Sequence, residues 1–303
     1  MSEHHWEGIT VYVSDFRYHR PETLDEALRL LEASPDGVLL AGGTDLLVDL
    51  KQGKRSHQDV ISLTRIQNLN AISVEQDRLL IGTAVTHNQL IHSPLIRAHC
   101  RVIAEAAETI ATEQIRNTAT VGGNLCTAAS CADTAPILIA LGAEIEIVSR
   151  QGQRTLRLAD FFVDHRKTAL ETGEILRRII VPIPPQGTGA AYQKFGLRQA
   201  ANIAVASVAA MVRVADGMCE DACFVMGAVA PTPRVSAGAA GLVVGRPISQ
   251  LSEGSPLWKQ VGRAVADDAE PIDDIRGSGE FRREITATLA RRALTMALGR
   301  VRE

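Results

Sequence analysis

Two pairs of adjacent glycines are the residues of this 303-residue chain whose types and spacing suggest chemistry. The pair Gly42–Gly43 follows an apolar run, and the pair Gly122–Gly123 lies in a stretch rich in threonine and asparagine. Glycine accepts positive φ and lets a ligand approach the backbone, so successive N–H groups in such a turn form a concave anion site. Both pairs are therefore candidates for binding a phosphate group.

Neutral hydrogen-bond donors stand beside both pairs, with Thr44 after the first and Thr120 and Asn124 around the second. Two neutral, donor-rich turns suit a diphosphate bridge. A nucleoside triphosphate site more often carries the lysine of GxxxxGK[ST], and that motif is absent, as is the GxGxxG dinucleotide fingerprint. Two tight turns without any ligand fit the same residues about equally well, because glycine-rich turns are common.

The composition limits the classes of function. Charged residues make up 22% of the chain and the net charge is −3, which argues against a basic nucleic-acid surface. Five cysteines in a chain of this length do not indicate a disulfide framework. We find no secretory signal and no apolar stretch long enough to cross a bilayer, so we expect a reduced, cytoplasmic protein without a membrane span.

Apolar periodicity predicts the elements that must position the glycine pairs. It predicts a helix over residues 22–33, strands at 59–63 and 78–85, and one long helix over 94–111. Thr86, with a glutamine three residues later, predicts a capping box at the start of a helix.

The rest of the chain divides near a proline- and glycine-rich stretch at 182–190. The hydroxyl-rich first part of residues 116–143 predicts an irregular loop, and Asp133 is expected to cap the helix that follows it. Asp216–Gly217 predicts a hairpin between two strands. The chain therefore reads as a mixed α/β region followed by a smaller α+β domain.

Four segments resemble one known family, the FAD-binding medium subunits of the molybdenum hydroxylases, a group that includes xanthine dehydrogenase, carbon monoxide dehydrogenase and 4-hydroxybenzoyl-CoA reductase. The segments are LLAGGTDLL, EQIRNTATVGGNLCTAASCADTAPILIALGAEIEI, GEILRRIIVPIP and YQKFGLRQAANIAVASVAA. The resemblance implies an α+β protein with a two-subdomain FAD-binding fold of the vanillyl-alcohol-oxidase type and a C-terminal α+β domain. We expect the FAD-binding domain at residues 10–182, with a break near 60–65, and the C-terminal domain at 188–303.

The resemblance also implies which residues bind FAD. The diphosphate would lie against two segments, formed by Ala41, Gly42, Gly43, Thr44, Asp45 and Leu46 and by Thr120, Gly122, Gly123 and Asn124. Ile110 and Leu176 would flank the ring systems, Asp133 would contact the cofactor, and Lys194 would lie near the isoalloxazine. Taken alone, the two apolar residues fit an ordinary core, Lys194 fits a solvated surface, and Asp133 fits a helix cap.

The implied function is electron transfer. A large subunit would carry the molybdenum cofactor, a small subunit would carry [2Fe–2S] clusters, and FAD in this chain would pass electrons to NAD⁺, a quinone or oxygen. We expect no catalytic side chain and no metal here, because Cys126 and Cys131 fall short of the four thiolates that a cluster normally needs. Two alternatives stay open: a self-contained FAD oxidoreductase of the same fold, and a structural subunit without cofactor.

Overall fold

A computed structural model describes residues 15–198 and 201–301 of the chain. The predicted outer domain limits at residues 10 and 303 lie outside these ranges. The described residues form three larger sheets, each with helices packed against it.

The first sheet is parallel and has three strands in the order β1-β3-β2. The strands are β1 (Arg17–His19), β2 (Gly37–Leu40) and β3 (Asp59–Ser62), and the helices are α1 (Leu24–Ala33) and α2 (Leu46–Lys51). Parallel neighbours need a crossover, and α1 and α2 supply the two crossovers. The first glycine pair lies between β2 and α2, at the carboxyl end of β2, where parallel sheets commonly bind ligands.

The second sheet is antiparallel, in the order β4-β5-β10-β6-β7. Its strands are β4 (Ile72–Glu75), β5 (Arg78–Gly82), β6 (Glu144–Ser149), β7 (Gly152–Arg157) and β10 (Ile175–Pro182). A small hairpin of β8 (Phe162–Asp164) and β9 (Lys167–Thr168) lies between β7 and β10 in the chain. The predicted strands at 59–63 and 78–85 are confirmed, with ends shifted by one to three residues.

Six helices connect β5 to β6. They are α3 (His87–His92), α4 (Pro94–His99), α5 (Arg101–Glu108), α6 (Glu113–Arg116), α7 (Val121–Thr127) and α8 (Thr134–Ala140). The capping box at Thr86 is confirmed, because its side chain accepts from the Gln89 N–H while Gln89 binds the Thr86 N–H.

Two predictions for this region are wrong. The long helix over 94–111 is two helices, because the backbone leaves the helical region at Cys100 (φ −148°), whose side chain lies in the core. The loop predicted after residue 116 contains α7, which is capped by Thr120 and includes both glycines. A threonine cap and contacts from distant residues overcome the low helix propensity of the glycine pair.

The third sheet is antiparallel, in the order β11-β12-β13-β14. Its strands are β11 (Thr188–Phe195), β12 (Ala206–Ala215), β13 (Met218–Gly227) and β14 (Arg234–Val235). Three longer helices follow β14 in the chain: α9 (Ala237–Val243), α10 (Pro256–Asp267) and α11 (Gly279–Arg300). Asp216 and Gly217 both have positive φ, as a two-residue hairpin turn requires, so the predicted hairpin is confirmed.

The described residues form three hydrophobic cores. The first gathers residues of α1 and β3 together with Val148 of β6 and Ile175 of β10, the second lies between the second sheet and helices α3 to α8, and the third lies under α11. The second core also includes Tyr192, Ala209 and Val225, so the third sheet packs directly against it. Among the described helices, none combines the length and apolar character needed to cross a membrane. The predicted inner domain limits stay predictions.

Candidate functional site

A cavity of about 910 Å³ lies where the first sheet, the second sheet and α7 meet. It gathers twelve of the fourteen residues that the resemblance implies. These are Ala41, Gly42, Gly43, Thr44, Asp45, Leu46, Ile110, Thr120, Gly122, Gly123, Asn124 and Leu176. Segments separated by more than sixty residues in the chain therefore converge on one concave surface, which neither segment could form alone.

The first glycine pair forms an open turn with available donors. Gly43 has φ +72°, a conformation that a side chain would strain. A Cβ on Gly42 would overlap the carbonyl oxygen of Thr118, so this turn packs tightly against the second segment. Within the described part of the chain, no protein acceptor takes the N–H groups of residues 42–46. Their partial positive charges suit an anion in the cavity.

The second glycine pair does not form the anion site that the sequence predicts. The Gly122 N–H donates to the Thr83 carbonyl (3.0 Å), and the Gly123 N–H donates to Oγ1 of Thr120 (3.0 Å). Because both N–H groups already have protein acceptors, the prediction that they form an anion site is wrong. A Cβ on Gly122 would overlap Oγ1 of Thr83, which means that the glycine allows α7 to pack closely on the chain leaving β5.

Side chains, rather than backbone, supply the donors on the α7 side of the cavity. Oγ1 of Thr120 accepts from Gly123, which leaves the hydroxyl hydrogen to donate. The amide oxygen of Asn124 accepts from Thr134 (2.8 Å), which leaves its amide nitrogen as a donor. A diphosphate between the two segments would thus meet backbone donors on one side and neutral side-chain donors on the other.

Ile110 and Leu176 supply apolar walls. Leu176 lies on β10 and Ile110 follows the end of α5, and both are buried. Leu176 belongs to the second core while also lining the cavity. The core interpretation and the cofactor interpretation of this residue are therefore compatible.

Asp133 and Lys194 do not line the cavity. They form a buried ion pair, with Nζ of Lys194 at 2.7 Å from Oδ2 of Asp133 and at 2.9 Å from the carbonyl oxygen of Thr109. Tyr192 donates to Oδ1 of Asp133 (2.8 Å). Asp133 stands at the start of α8 but makes no capping hydrogen bond, so the prediction of a side-chain cap is wrong. The interpretation of Lys194 as a solvated surface lysine is wrong as well.

The sequence analysis missed His87, Asp49 and Arg166, which also line the cavity. His87 is the first residue of α3, and its buried Nδ1 has no partner among the described residues. Burial, with a smaller effect of the Arg116 charge, lowers the pKa of His87 to about 4, so the imidazole is neutral at pH 7. The capping box at Thr86 could have located His87 on the helix, but only the fold shows the cavity beside it.

Asp49 and Arg166 form an ion pair of 3.0 Å between α2 and the turn that joins β8 to β9. The carboxylate is buried, whereas the guanidinium is half exposed at the cavity. The two residues are 117 positions apart, so no local signal in the sequence connects them. The pair fixes the turn after β8 against the helix that follows the first glycine pair.

The cysteines near the cavity are thiols. Cys126 lines the cavity, and burial raises its pKa to about 12, which disfavours the thiolate that a metal would need. Within residues 15–198 and 201–301, no group of three or more metal-ligating side chains gathers. The expected absence of a metal stays a prediction.

The residues of the cavity fit FAD. The N–H groups of residues 42–46 have no acceptor among the described residues and lie at the cavity, which suits a diphosphate. Ile110 and Leu176 offer apolar surface for ring systems. The volume of about 910 Å³ is at the upper end of small-molecule sites, which suits a large dinucleotide.

Comparison with known proteins agrees with this geometry. The family described as "FAD binding domain in molybdopterin dehydrogenase" matches residues 14–184, and "CO dehydrogenase flavoprotein C-terminal domain" matches residues 190–297. The chain is 33% identical to a putative xanthine dehydrogenase FAD-binding subunit of Escherichia coli K12, covering 93% of this chain and 95% of the relative. It is 32% identical to the carbon monoxide dehydrogenase medium chain of Hydrogenophaga pseudoflava, covering 94% and 98%.

Solved structures show the same relationship. A chain of carbon monoxide dehydrogenase from Hydrogenophaga pseudoflava, in a form that lacks the Mo-pyranopterin moiety, superposes with a TM-score of 0.91 at 30% identity, covering 95% of this chain and 99% of that one. These matches confirm the predicted family, the α+β fold class, the oxidoreductase class and FAD as the cofactor. The chain belongs to the FAD-binding medium-subunit family of the molybdopterin dehydrogenases.

Proposed function

We propose that this chain is the electron-transfer subunit of a multi-subunit dehydrogenase. It would receive electrons from [2Fe–2S] clusters of a small subunit, which in turn is supplied by a molybdenum cofactor in a large subunit. It would release them to an external acceptor such as NAD⁺, a quinone or oxygen. Bound FAD would supply the chemistry, because a flavin accepts and releases electrons singly or in pairs.

The observation that carries this proposal is the convergence of the two glycine segments on one cavity. Gly42 packs against the backbone of Thr118 and Ala119, so the two segments are in direct contact. A diphosphate needs donors from more than one side, and the cavity offers them from residues 42–46 and from the side chains of Thr120 and Asn124. We propose that all twelve lining residues named above contact FAD.

The remaining two predicted residues, Asp133 and Lys194, would act at the flavin end of the cavity. Nζ of Lys194 reaches the carbonyl of Thr109, the residue next to Ile110, so the ion pair lies one residue from the cavity wall. A buried cation beside the isoalloxazine would favour negative charge on that ring, since a buried charge is weakly screened. Ile110 and Leu176 would exclude water from the ring faces.

The partners and the location are part of the same proposal. The chain matches relatives named as medium chains over nearly their whole length, which supports a complex with a larger and a smaller subunit. A cytoplasmic location agrees with the free cysteines among the described residues, because such thiols persist in reducing compartments. We propose the domain division at residues 182–188, because the third core is built from residues that follow it, and a further break near 60–65, where the last strand of the first sheet ends.

The test uses the full-length chain, purified with any subunits that remain bound to it. We expect a flavin absorption band and an equimolar amount of FAD on denaturation. Gly43→Val and Gly123→Val should remove the FAD, because the first change strains the turn at φ +72° and the second places a branched side chain against Oγ1 of Thr120. Gly241→Val is the matched control: it adds the same side chain in α9, where no atom lies within 4 Å of the new Cβ.

The outcomes separate the alternatives. Protein that stays colourless after incubation with FAD would indicate a structural subunit and would overturn the proposal. Normal flavin content in both glycine variants would show that the cavity is not the diphosphate site. A flavoprotein that turns over a substrate without any partner would indicate a self-contained oxidoreductase.

A further inference from the structure

The turn Thr109–Ala111 joins the end of α5 to the cavity. Ile110 and Ala111 both line the cavity, directly after the helix ends at Glu108. The carbonyls of such a turn must find their hydrogen-bond partners outside the helix. Three successive carbonyl groups of this turn each do so, and each uses a different part of the chain.

The three donors come from β11, from α6 and from the segment that precedes β12. Nζ of Lys194 on β11 donates to the Thr109 carbonyl (2.9 Å), and the N–H of Ala201 donates to the Ala111 carbonyl (3.3 Å). Nη1 of Arg116, the last residue of α6, donates to the Ile110 carbonyl at 2.7 Å. Arg116 therefore makes the shortest of the three bonds, and makes it to Ile110, one of the two residues of the turn that line the cavity.

The backbone of this turn needs such support. Ala111 has φ +42°, a left-handed conformation that alanine seldom adopts. A residue keeps such a strained conformation only where several surrounding contacts hold it, and strained residues of this kind cluster at ligand sites. Without the bond from Arg116, we expect the turn to relax toward ordinary φ values and to move the Ile110 side chain.

Arg116 is itself held in place. Its Nε lies 3.4 Å from Oδ1 of Asn88 on α3, and its side chain is half-buried. A charged donor bound to a carbonyl in a sheltered site makes a stronger hydrogen bond than a neutral one. The guanidinium thus connects α3, α6 and the cavity turn.

We propose that Arg116 is a positioning residue for the cofactor, which it affects by holding Ile110 at a set distance from the bound ring system. This inference rests on the proposed function, because it needs FAD in the cavity. Arg116 lies outside the cavity lining, and its hydrogen bond to the Ile110 carbonyl is the contact through which it would position the wall.

The chain contains a matched control for this bond. Nε of Arg97 donates to the carbonyl of Ile91 at 2.7 Å, again six residues upstream, but Ile91 does not line the cavity. Arg97→Met removes the same kind of bond as Arg116→Met. The two variants differ in whether the carbonyl belongs to the cavity wall.

The experiment is a double-mutant cycle on the full-length chain after removal of FAD. The dissociation constant of FAD is measured by fluorescence titration for wild type, Arg116→Met, Ile110→Ala and the double variant, with Arg97→Met beside them. Titration at pH 8 keeps His87 neutral in every variant, because even its ordinary pKa of about 6.5 lies below that pH. Visible circular dichroism of the saturated protein reports the flavin environment, and thermal unfolding of the FAD-free protein reports folding.

We expect Arg116→Met to raise the dissociation constant about tenfold, as loss of one charge-assisted hydrogen bond allows. With alanine at position 110 the same change should add less than about twofold. The flavin circular dichroism should change in Arg116→Met, and Arg97→Met should match wild type in both measurements.

Equal effects of Arg116→Met with isoleucine and with alanine at position 110 would overturn the inference. So would weakened binding explained wholly by a lower unfolding temperature of the FAD-free protein, which would indicate general structural support. A wild-type chain that binds no FAD would instead overturn the proposed function. Failure of the inference about Arg116 and failure of the proposed function are therefore distinguishable.

Discussion

Nζ of Lys194 lies 2.7 Å from Oδ2 of Asp133, and only 6% and 8% of the two side chains are exposed. The hydroxyl of Tyr192 donates to the other carboxylate oxygen of Asp133 (2.8 Å). Tyr192 and Lys194 are two residues apart on β11, and alternate side chains of a strand lie on the same face. One face of the third sheet therefore binds both oxygens of a carboxylate at the start of α8. This contact ties the C-terminal sheet to the elements that carry the cavity.

Removing the cation from this pair should be strongly destabilising. Lys194→Met leaves the carboxylate of Asp133 buried without its counter-charge, which costs about 3–5 kcal/mol in the free energy of unfolding. The double variant Asp133→Asn with Lys194→Met should recover much of this loss. Urea unfolding of the FAD-free protein at pH 7 measures the difference.

An exposed ion pair serves as the control for that experiment. Arg157 and Asp160 are 2.8 Å apart with side chains 75% and 52% exposed, and Asp160→Asn should change the free energy of unfolding far less than Lys194→Met does. Burial raises the pKa of Asp133, and loss of Lys194 should raise it further. Protonation then removes the buried charge, so the penalty in Lys194→Met should shrink as the pH falls. An equal cost for Lys194→Met and Asp160→Asn would contradict the structural role.

Gly122 should tolerate no side chain, although it lies inside a helix. Alanine usually stabilises a helix interior relative to glycine. Here, however, a Cβ at Gly122 would overlap Oγ1 of Thr83 and lie 2.6 Å from the carbonyl oxygen of Thr83. We expect Gly122→Ala to lower the free energy of unfolding by about 1–3 kcal/mol or more. Gly241→Ala, in open space in α9, should raise it by about 0.5–1 kcal/mol. Thermal unfolding of both variants checks the opposite signs, and stabilisation by Gly122→Ala would show that α7 does not pack this closely.

His87 should make the stability of the protein depend on pH. Its folded-state pKa of about 4 lies below the ordinary value of about 6.5, so the unfolded chain binds the proton more readily between these values. The free energy of unfolding should therefore fall as the pH is lowered from 6.5 to 4. For this 1%-exposed residue the contribution is on the order of 3 kcal/mol.

The measurement compares wild type with His87→Gln by urea unfolding at several pH values, so that all other titrating groups cancel. Wild type should lose about 3 kcal/mol more than the variant across this range. Parallel pH profiles for the two proteins would mean that His87 is accessible to water or paired in solution.

Local chemistry in the sequence determined much of this fold. The Thr86–Gln89 capping box and the Asp216–Gly217 hairpin depend on neighbours within four residues, and both are present in the structure. Buried strands such as Asp59–Ser62 are read from runs of apolar residues. The flanks of the two glycine pairs also carried the family resemblance, and twelve of the residues that it implies line one cavity.

Only the tertiary structure decided how those residues are used. The glycines at 122 and 123 lie in a helix because Thr83, about forty residues away, takes one backbone donor and fills the space of a side chain. Asp133 is an ion-pair partner rather than a cap because Lys194 and Tyr192 arrive from another sheet. Caps and turns depend on a few adjacent residues, whereas hydrogen-bond partners and close packing depend on which distant segments meet, and that is a property of the whole fold.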